Sequence, residues 1–249
     1  MASYGVFAKY YDRLMRDVDY AARADYLCAI FKKHALAGTN TMLLDLACGT
    51  GNISFLLAKA GFDVIGVDAS PEMLAHAISK ADSDAHNPVF ICQDMRRLDL
   101  YGTVKAAVCT LDGINHLTGR EAVLESFKRV SLFLEPGGLF LFDLNTPYKL
   151  SHTLLDNTFV YDLGDLYCVW QNSYSKKSNV CRFDLTFFEK SGNTYLRSDE
   201  HFSEKAYSTA QIEKLLKLSG LTLEAVYDDM GFSEPKEDSE RLIYVVRKP

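Results

Sequence analysis

The sequence predicts an α/β fold: a seven-stranded, mostly parallel sheet with helices on both faces and an inserted antiparallel β lid. Three observations predict it. Short apolar runs that end in acids, such as Phe62 to Asp68, alternate with helical periodicities through residue 150. From 151 the period falls to two: Cys181, Phe183, Leu185 and Phe187 alternate with Arg182, Asp184 and Thr186. The chain then finishes helix, strand, strand, which makes one closing strand antiparallel. The expected division is 1–150 for N-terminal helices plus core, 151–205 for the inserted sheet, and 206–249 for the helix and strands that complete the core.

At 249 residues the chain suits one α/β domain with an insertion, and a hydrophobic content of 48% supplies its core. A net charge of -6 and a pI near 5.5 argue against an obligate nucleic-acid binder, whose phosphate affinity comes from Lys and Arg. Met1 to Tyr20 is rich in charge and tyrosine and does not read as a signal peptide. No apolar run approaches the ~20 residues of a membrane span. The six cysteines are scattered without a Cys-x-x-Cys pair. They read as buried, reduced thiols of a cytoplasmic protein, with no zinc site.

In chain order, Tyr26, Leu27, Ile30 and Phe31 recur at helical spacing, and Gly38 is expected to stop that helix. Residues 1–20 should supply a second helix, the pair packing on the sheet. Residues 42–46 form a strand and about 51–60 a helix ended by Gly61. Between them lies Asp45-Leu46-Ala47-Cys48-Gly49-Thr50-Gly51-Asn52. Glycines at 49 and 51 let backbone amides approach a ligand and take positive φ. A dinucleotide site needs a third glycine three residues after the second, and position 54 is Ser. Asp45, four residues before the first glycine, puts an anionic side chain at the mouth, which suits a cationic ligand better than a phosphate.

Phe62 to Asp68 is the second strand, and Asp68 lies 17 residues beyond Gly51. A carboxylate there can accept both hydroxyls of a ribose. Ser70-Pro71-Glu72 reads as N-cap, N1 proline and first-turn acid of a helix that carries Met73. Residues 89–93 form the third strand, with Asp94 and Met95 at its carboxyl end. Residues 105–110 form the fourth, followed by Leu111-Asp112-Gly113-Ile114-Asn115-His116. Ligands of open α/β sheets bind at that edge. Thr118-Gly119-Arg120-Glu121 is expected to cap a helix to about 133. Glu135 to Gly138 is a turn and Leu139 to Leu144 the fifth strand.

The segment Asp-x-Ala-Cys-Gly-Thr-Gly at 45–51 resembles motif I of the class I S-adenosylmethionine-dependent methyltransferases. The resemblance covers nearly the whole chain, is strongest over 41–145, and is closest to the small-molecule glycine and sugar-amine N-methyltransferases. It implies a Rossmann-like core, S-adenosylmethionine as cofactor and S-adenosylhomocysteine as product. Carried onto this sequence, Ala47, Gly49, Gly51 and Asn52 cradle the methionine part and Asp45 orients its amino group through water or backbone. Tyr11, within Tyr10-Tyr11-Asp12, closes over the methionine end, where a ring face favours a sulfonium. Asp68 and Ala69 meet the ribose, Met73 packs on the adenine edge or in the core, and Asp94 receives the adenine amino group beside Met95. Leu111 lines the methyl end. His116 is the candidate base, its ordinary pKa near ~6.5, and Asp112 the group that holds the acceptor; the alternative for His116 is a loop-holding bond to backbone. Arg96 and Arg97 read as surface residues.

The expected reaction is an in-line displacement onto N or O of a small-molecule acceptor. The sulfonium methyl is already activated, so no metal is required. Membranes are not expected as partners, nucleic acid is not favoured, and the chain is expected to be a monomer or homodimer. Two alternatives stand beside it: a methyltransferase of nucleic acid or protein, and a non-catalytic S-adenosylmethionine-binding protein with a sealed lid. Asn145-Thr146-Pro147-Tyr148 is similar to the Asn-Pro-Pro-Tyr of DNA amino-methylating enzymes, but it follows the fifth strand and lacks the second proline.

Within the insertion, segments 158–163, 166–174 and 194–204 also read as strands. Tyr167, Trp170, Tyr174, Arg182, Arg197, Glu200 and His201 are its candidate substrate-facing groups. A one-residue slip would reverse every assignment, so their direction stays open. Ser208-Thr209-Ala210-Gln211 is a capping box, 221–227 and 241–247 are the last strands, and the acidic loop 228–240 is expected to be mobile.

Overall fold

The computed structural model describes residues 4–36, 40–82 and 86–249. Gly38 lies outside the described residues; the helix it was expected to stop already ends at Lys33.

Strands β1 (Thr41–Leu46), β2 (Phe62–Asp68), β3 (Val89–Cys92), β4 (Val104–Cys109) and β5 (Leu134–Asn145) alternate with helices α3 (Asn52–Lys59), α4 (Pro71–Ser79) and α5 (Arg120–Phe133). Helices α1 (Gly5–Leu14) and α2 (Tyr20–Lys33) precede them. Strands β6 (Thr158–Asp162), β7 (Leu166–Ser175), β8 (Val180–Ser191) and β9 (Thr194–Lys205) form a separate antiparallel sheet. Helix α6 (Thr209–Leu218) and strands β10 (Thr222–Asp228) and β11 (Arg241–Arg247) complete the first sheet, whose order is β10-β11-β5-β4-β1-β2-β3. Strand β11 is antiparallel to both neighbours and lies inside the sheet, between β5 and β10.

The apolar runs are continuous because both faces of this sheet are covered. Leu44, Leu46, Ala107, Cys109, Phe140 and Phe142 pack on one side with α5 and α6. Their sequence neighbours Leu43, Ala106, Val108, Leu139 and Leu141 pack on the other with α2 and α3. Strand order reverses between the parallel neighbours β1 and β4, so their loops diverge and open a crevice at the carboxyl edge.

Several expectations need correction. The helical pair separates: α2 packs on the large sheet, but Phe7, Tyr10 and Leu14 of α1 join Phe183, Leu185 and Phe187 in a core under the second sheet. Helix α5 is capped by Gly119 without a side-chain bond, so the Thr118 capping box does not form; the Ser70 N-cap does accept the Met73 amide, and the Ser208 capping box does form with Gln211. Cys92 is exposed and Cys28 and Cys48 half-buried, so the thiols are not uniformly interior. The 228–240 loop is tied down: Thr146 Oγ1 donates to Ser239 O at 2.6 Å, Tyr26 donates to Gly231 O, and Arg23 bonds Asp229.

Candidate functional site

The β1–α3 turn is built on positive φ at Ala47, Gly49 and Gly51. A Cβ on Gly49 would meet nothing within 4 Å, so this glycine leaves open space on the cleft side. Gly51 is different. A Cβ there would stand 2.9 Å from the Phe90 ring, so its glycine serves packing between α3 and β3, and it is not on the cleft wall. Ser54, at the place of the absent third glycine, donates its hydroxyl to Asp45. Burial pushes the Asp45 carboxyl up to about 7, with the Ser54 bond opposing. The expected anionic mouth is therefore half-titrated near neutrality.

Asp68 ends β2 and accepts the Gly49 and Ser70 amides, each at 2.8 Å, one on each oxygen. Burial raises its carboxyl and these bonds oppose the rise. The carboxylate is thus aimed by two backbone elements, with a lone pair left on each oxygen. Asp94 caps the turn Met95–Arg97 and pairs with Arg96, whose Nε lies 2.9 Å away. That pairing holds the Asp94 carboxyl low. Arg96, expected at the surface, forms part of the cleft wall.

After β4 the backbone takes positive φ at both Leu111 and Asp112, an uncommon pair of left-handed residues. Asp143, fully buried on β5, holds them: its carboxylate accepts the Leu111 amide at 2.8 Å and the Asp112 amide at 2.6 Å. Arg241 on β11 bridges Asp143 (2.7 Å) and Asp112 (2.9 Å). Burial would raise the Asp112 carboxyl, but Arg241, with His116 and Lys149, outweighs it and holds the group low. Gly113 is required here, because a Cβ would meet Cys109 Sγ at 2.7 Å and Ala47 Cβ at 3.0 Å. The His116 ring makes no bond to backbone among the described residues; Tyr4 Oη lies 2.7 Å from its Nε2. Burial lowers the His116 pKa, opposed by Asp112, so the ring is neutral at neutral pH.

Two spaces meet at Tyr4 and His116. One is a cleft lined by Tyr11, Asp45, Ala47, Gly49, Asn52, Asp68, Met73 and Leu111, continuing past Ala69, Asp94 and Met95 into a volume of about 850 Å³. The other, of about 320 Å³, lies under the second sheet and is lined by Asp112, His116, Glu204, Lys149 and Arg241 opposite Trp170, Phe183 and Phe202. Of the Tyr10-Tyr11-Asp12 segment, Tyr11 lines both spaces, while Tyr10 packs on Phe187 and bonds Glu189. Asp12 accepts Thr50 Oγ1 at 2.7 Å and Asn52 Nδ2 at 3.0 Å and pairs with Lys80, clasping α1 to the glycine turn.

The register of β7–β9 settles the insertion. Cys181, Phe183 and Leu185 pair with Glu204, Phe202 and Glu200 on the inner face. Trp170 and Tyr174 share that face, while Tyr167, Arg182, Arg197 and His201 point away from it. Glu200 accepts the Val6 amide at 2.9 Å and so caps α1. Sequence reasoning missed Asp143, Arg241 and Glu204. The one signal for Asp143 was an acid inside the apolar run 139–144.

The cleft fits an amino-acid-bearing nucleoside. The Tyr20 hydroxyl is buried at its wall, with no hydrogen-bond partner among the described residues, beside Tyr11, Asp45 and the open Gly49 turn. Such a donor suits a ligand carboxylate. Residues 43–138 match the family model described as "Methyltransferase domain". The chain is 34% identical over 247 residues to the Bacillus subtilis (strain 168) protein named "Putative methyltransferase YqeM", covering 98% of this chain and 97% of that one. A solved S-adenosylmethionine-dependent methyltransferase from Clostridium acetobutylicum ATCC 824 superposes with a TM-score of 0.87 at 34% identity, over 98% of each chain. The chain belongs to the S-adenosylmethionine-dependent methyltransferases. A glycine/sarcosine N-methyltransferase from Halorhodospira halochloris is 30% identical over 72% of this methyltransferase and 66% of its own length. The present chain has the Rossmann-like fold of the S-adenosylmethionine-dependent methyltransferases, with S-adenosylmethionine as its cofactor. No helix among the described residues is long and apolar enough to cross a membrane.

Proposed function

We propose that this methyltransferase carries a methyl group by in-line displacement to a nitrogen or oxygen of a small molecule held under the second sheet. The carrying observation is the 320 Å³ chamber, which meets the cofactor cleft at Tyr11, Leu111 and His116. A sealed lid would have favoured a non-catalytic binder; a walled chamber of this size suits a small organic acceptor more than a duplex or a folded protein. The glycine/sarcosine relative and a Streptomyces venezuelae amino-sugar N,N-dimethyltransferase, 26% identical over 85% of this chain, support the same reading.

Bound S-adenosylmethionine supplies a methyl already activated by its sulfonium sulfur. The protein's part is alignment, which can contribute roughly 7–11 kcal/mol. Asp68 and Ala69 hold the ribose, Asp94 and Met95 the adenine edge with Met73 packed beside it. Gly49, Asn52 and Asp45 receive the amino-acid end. Tyr11 and Leu111 flank the methyl. Asp112 fixes the charge of the chamber wall and His116, neutral, orients the acceptor at the junction. In this division residues 1–150 and 206–249 are the cofactor domain, 151–205 is the substrate lid, and the protein works in the cytoplasm as a monomer or homodimer.

The test is a panel of amines and alcohols scored by S-adenosylhomocysteine formation, beside RNA and bulk protein scored with labelled cofactor. Turnover confined to small molecules is expected. Label entering RNA or protein, with every small molecule inert, would overturn the reading.

A further inference from the structure

We propose that Glu204 receives the acceptor's cationic nitrogen in the chamber and takes a proton from it before methyl transfer. This rests on the small-molecule reading above. Glu204 lies on the inner face of β9, 3% exposed, beside Phe202. Asn115 brings it there: its side chain donates to Lys205 O at 2.9 Å and Asn145 O at 3.1 Å, stitching β9 to β5 and to the site loop. The Glu204 carboxyl accepts a bond from Asn145 Nδ2 at 2.8 Å.

The other acids here already have cations. Arg241 pairs with both Asp112 and Asp143, and Arg23 lies 3.7 Å from Asp143. Glu204 forms no ion pair with a described residue, and its carboxyl lies against that of Asp112. The groups that face it are Asp112 and His116 from the β4–α5 loop, Arg241 from β11, Lys149 after β5, Tyr4 from the N-terminal segment and Cys181 from β8. Burial and the Asp112 charge push the Glu204 carboxyl up, with the Asn145 bond and Arg241 opposing, which favours its protonated form while the chamber is empty. A ligand ammonium supplies the absent cation.

Ligand atoms of Asp112, His116 and Glu204 lie within 4.8 Å of one another, which a metal ion could also span. Arg241 and Lys149 on the same wall oppose a divalent ion, and Tyr4 occupies His116 Nε2. Facing rings of Trp170, Phe183 and Phe202 suit an organic cation instead. The step is a proton transfer in two stages: pairing with the ammonium first displaces the Glu204 proton to solvent, and then an N–H bond of the ammonium breaks, an O–H bond forms on the Glu204 carboxylate, and the electron pair stays on nitrogen as the nucleophile. An acid made strongly basic by burial is fitted to this, whereas burial makes His116 a weaker base.

Trp170 is the chain's single tryptophan and lines the chamber, so its fluorescence reports occupancy without turnover. The experiment titrates benzylamine, and benzyl alcohol as a neutral isostere, into full-length protein saturated with S-adenosylhomocysteine. It compares the native chain with Glu204→Gln. Calorimetry in two buffers of different ionisation enthalpy counts protons released. Benzylamine is expected to bind roughly 10- to 100-fold more weakly to the variant, with benzyl alcohol unchanged and close to one proton released at pH 7 in the native protein. Equal benzylamine affinity in both proteins, no Trp170 response in the native chain, no proton release, or displacement of benzylamine by Mn²⁺ would each overturn the proposal. Unchanged S-adenosylhomocysteine affinity checks that the variant is folded; should it not fold, proton release by the native protein decides. Failure of the small-molecule reading looks different: methyl label enters RNA or protein while amine binding still follows Glu204.

Discussion

At the scale of single residues, burial decides what the acids of this site do. Asp68 keeps two aimed oxygens because backbone amides hold it. Asp68→Ala should weaken S-adenosylhomocysteine at least about 10-fold, since hydrogen bonds to a charged group are each worth roughly 1.5–3 kcal/mol; calorimetric titration reads this directly, and unaltered affinity would remove the ribose role. Asp45, raised to about 7, behaves differently with pH. Its folded pKa lies above its unfolded value, so its contribution is fully present below about pH 4 and is lost as pH rises through 7. Asp45→Asn should therefore gain stability over the native chain between pH 4 and 7, by up to roughly 4 kcal/mol, and the gain should level off above. Thermal melts across that range check it; a constant offset would mean that Asp45 is ionised throughout.

At the scale of elements, α1 is the part that joins the two sheets. It lacks a cap of its own, and Glu200 of β9 supplies one, while Asp12 ties its far end to Thr50, Asn52 and Lys80. Glu200→Ala should cost about 1 kcal/mol, the usual worth of an N-cap. Hydrogen exchange should rise over 5–14 and hardly change in α2, which packs elsewhere. An equal rise in both helices would show that the cap supports the whole fold and not α1 in particular. The same arrangement makes α1 sensitive to the glycine turn, because Asp12 bonds the residues on either side of Gly51.

At the scale of the whole molecule, Asp143 and Arg241 join β5, β11, the β4–α5 loop and, through Arg23, α2 and the 228–240 loop. Removing one partner of a buried pair leaves an uncompensated charge, so Asp143→Ala should destabilise by about 3–5 kcal/mol. Urea unfolding measures this, and a loss under 1 kcal/mol would show that the network is dispensable. Cofactor product should stabilise the entire fold by mass action: about 2.7 kcal/mol at a hundredfold excess over Kd. For a chain of this size that is a Tm rise of roughly 5–10 °C. A rise absent in native protein, but not because of failed binding by calorimetry, would mean that unfolding of the bound domain is not what the melt reports.

The sequence alone determined the order of elements, the glycine turn with its flanking acids and the four strands of the insertion, while the cofactor followed from the family resemblance that this turn carries. These are local or periodic properties: a strand's burial writes itself as an apolar run, and a turn's φ as glycine. It did not determine that Gly51 answers to Phe90, that α1 leaves the large sheet, or that Arg96 covers Asp94, because each depends on what a distant segment places opposite. Asp143 lies 98 residues from Arg241, and Glu204 lies 37 residues from Arg241, yet Arg241 pairs with the one and shares a chamber wall with the other. No pattern in one stretch encodes such a meeting. Only tertiary structure fixed which face of β9 turned inward, and with it which glutamate reached the chamber, since a strand's period of two leaves both faces equally available until the register is set.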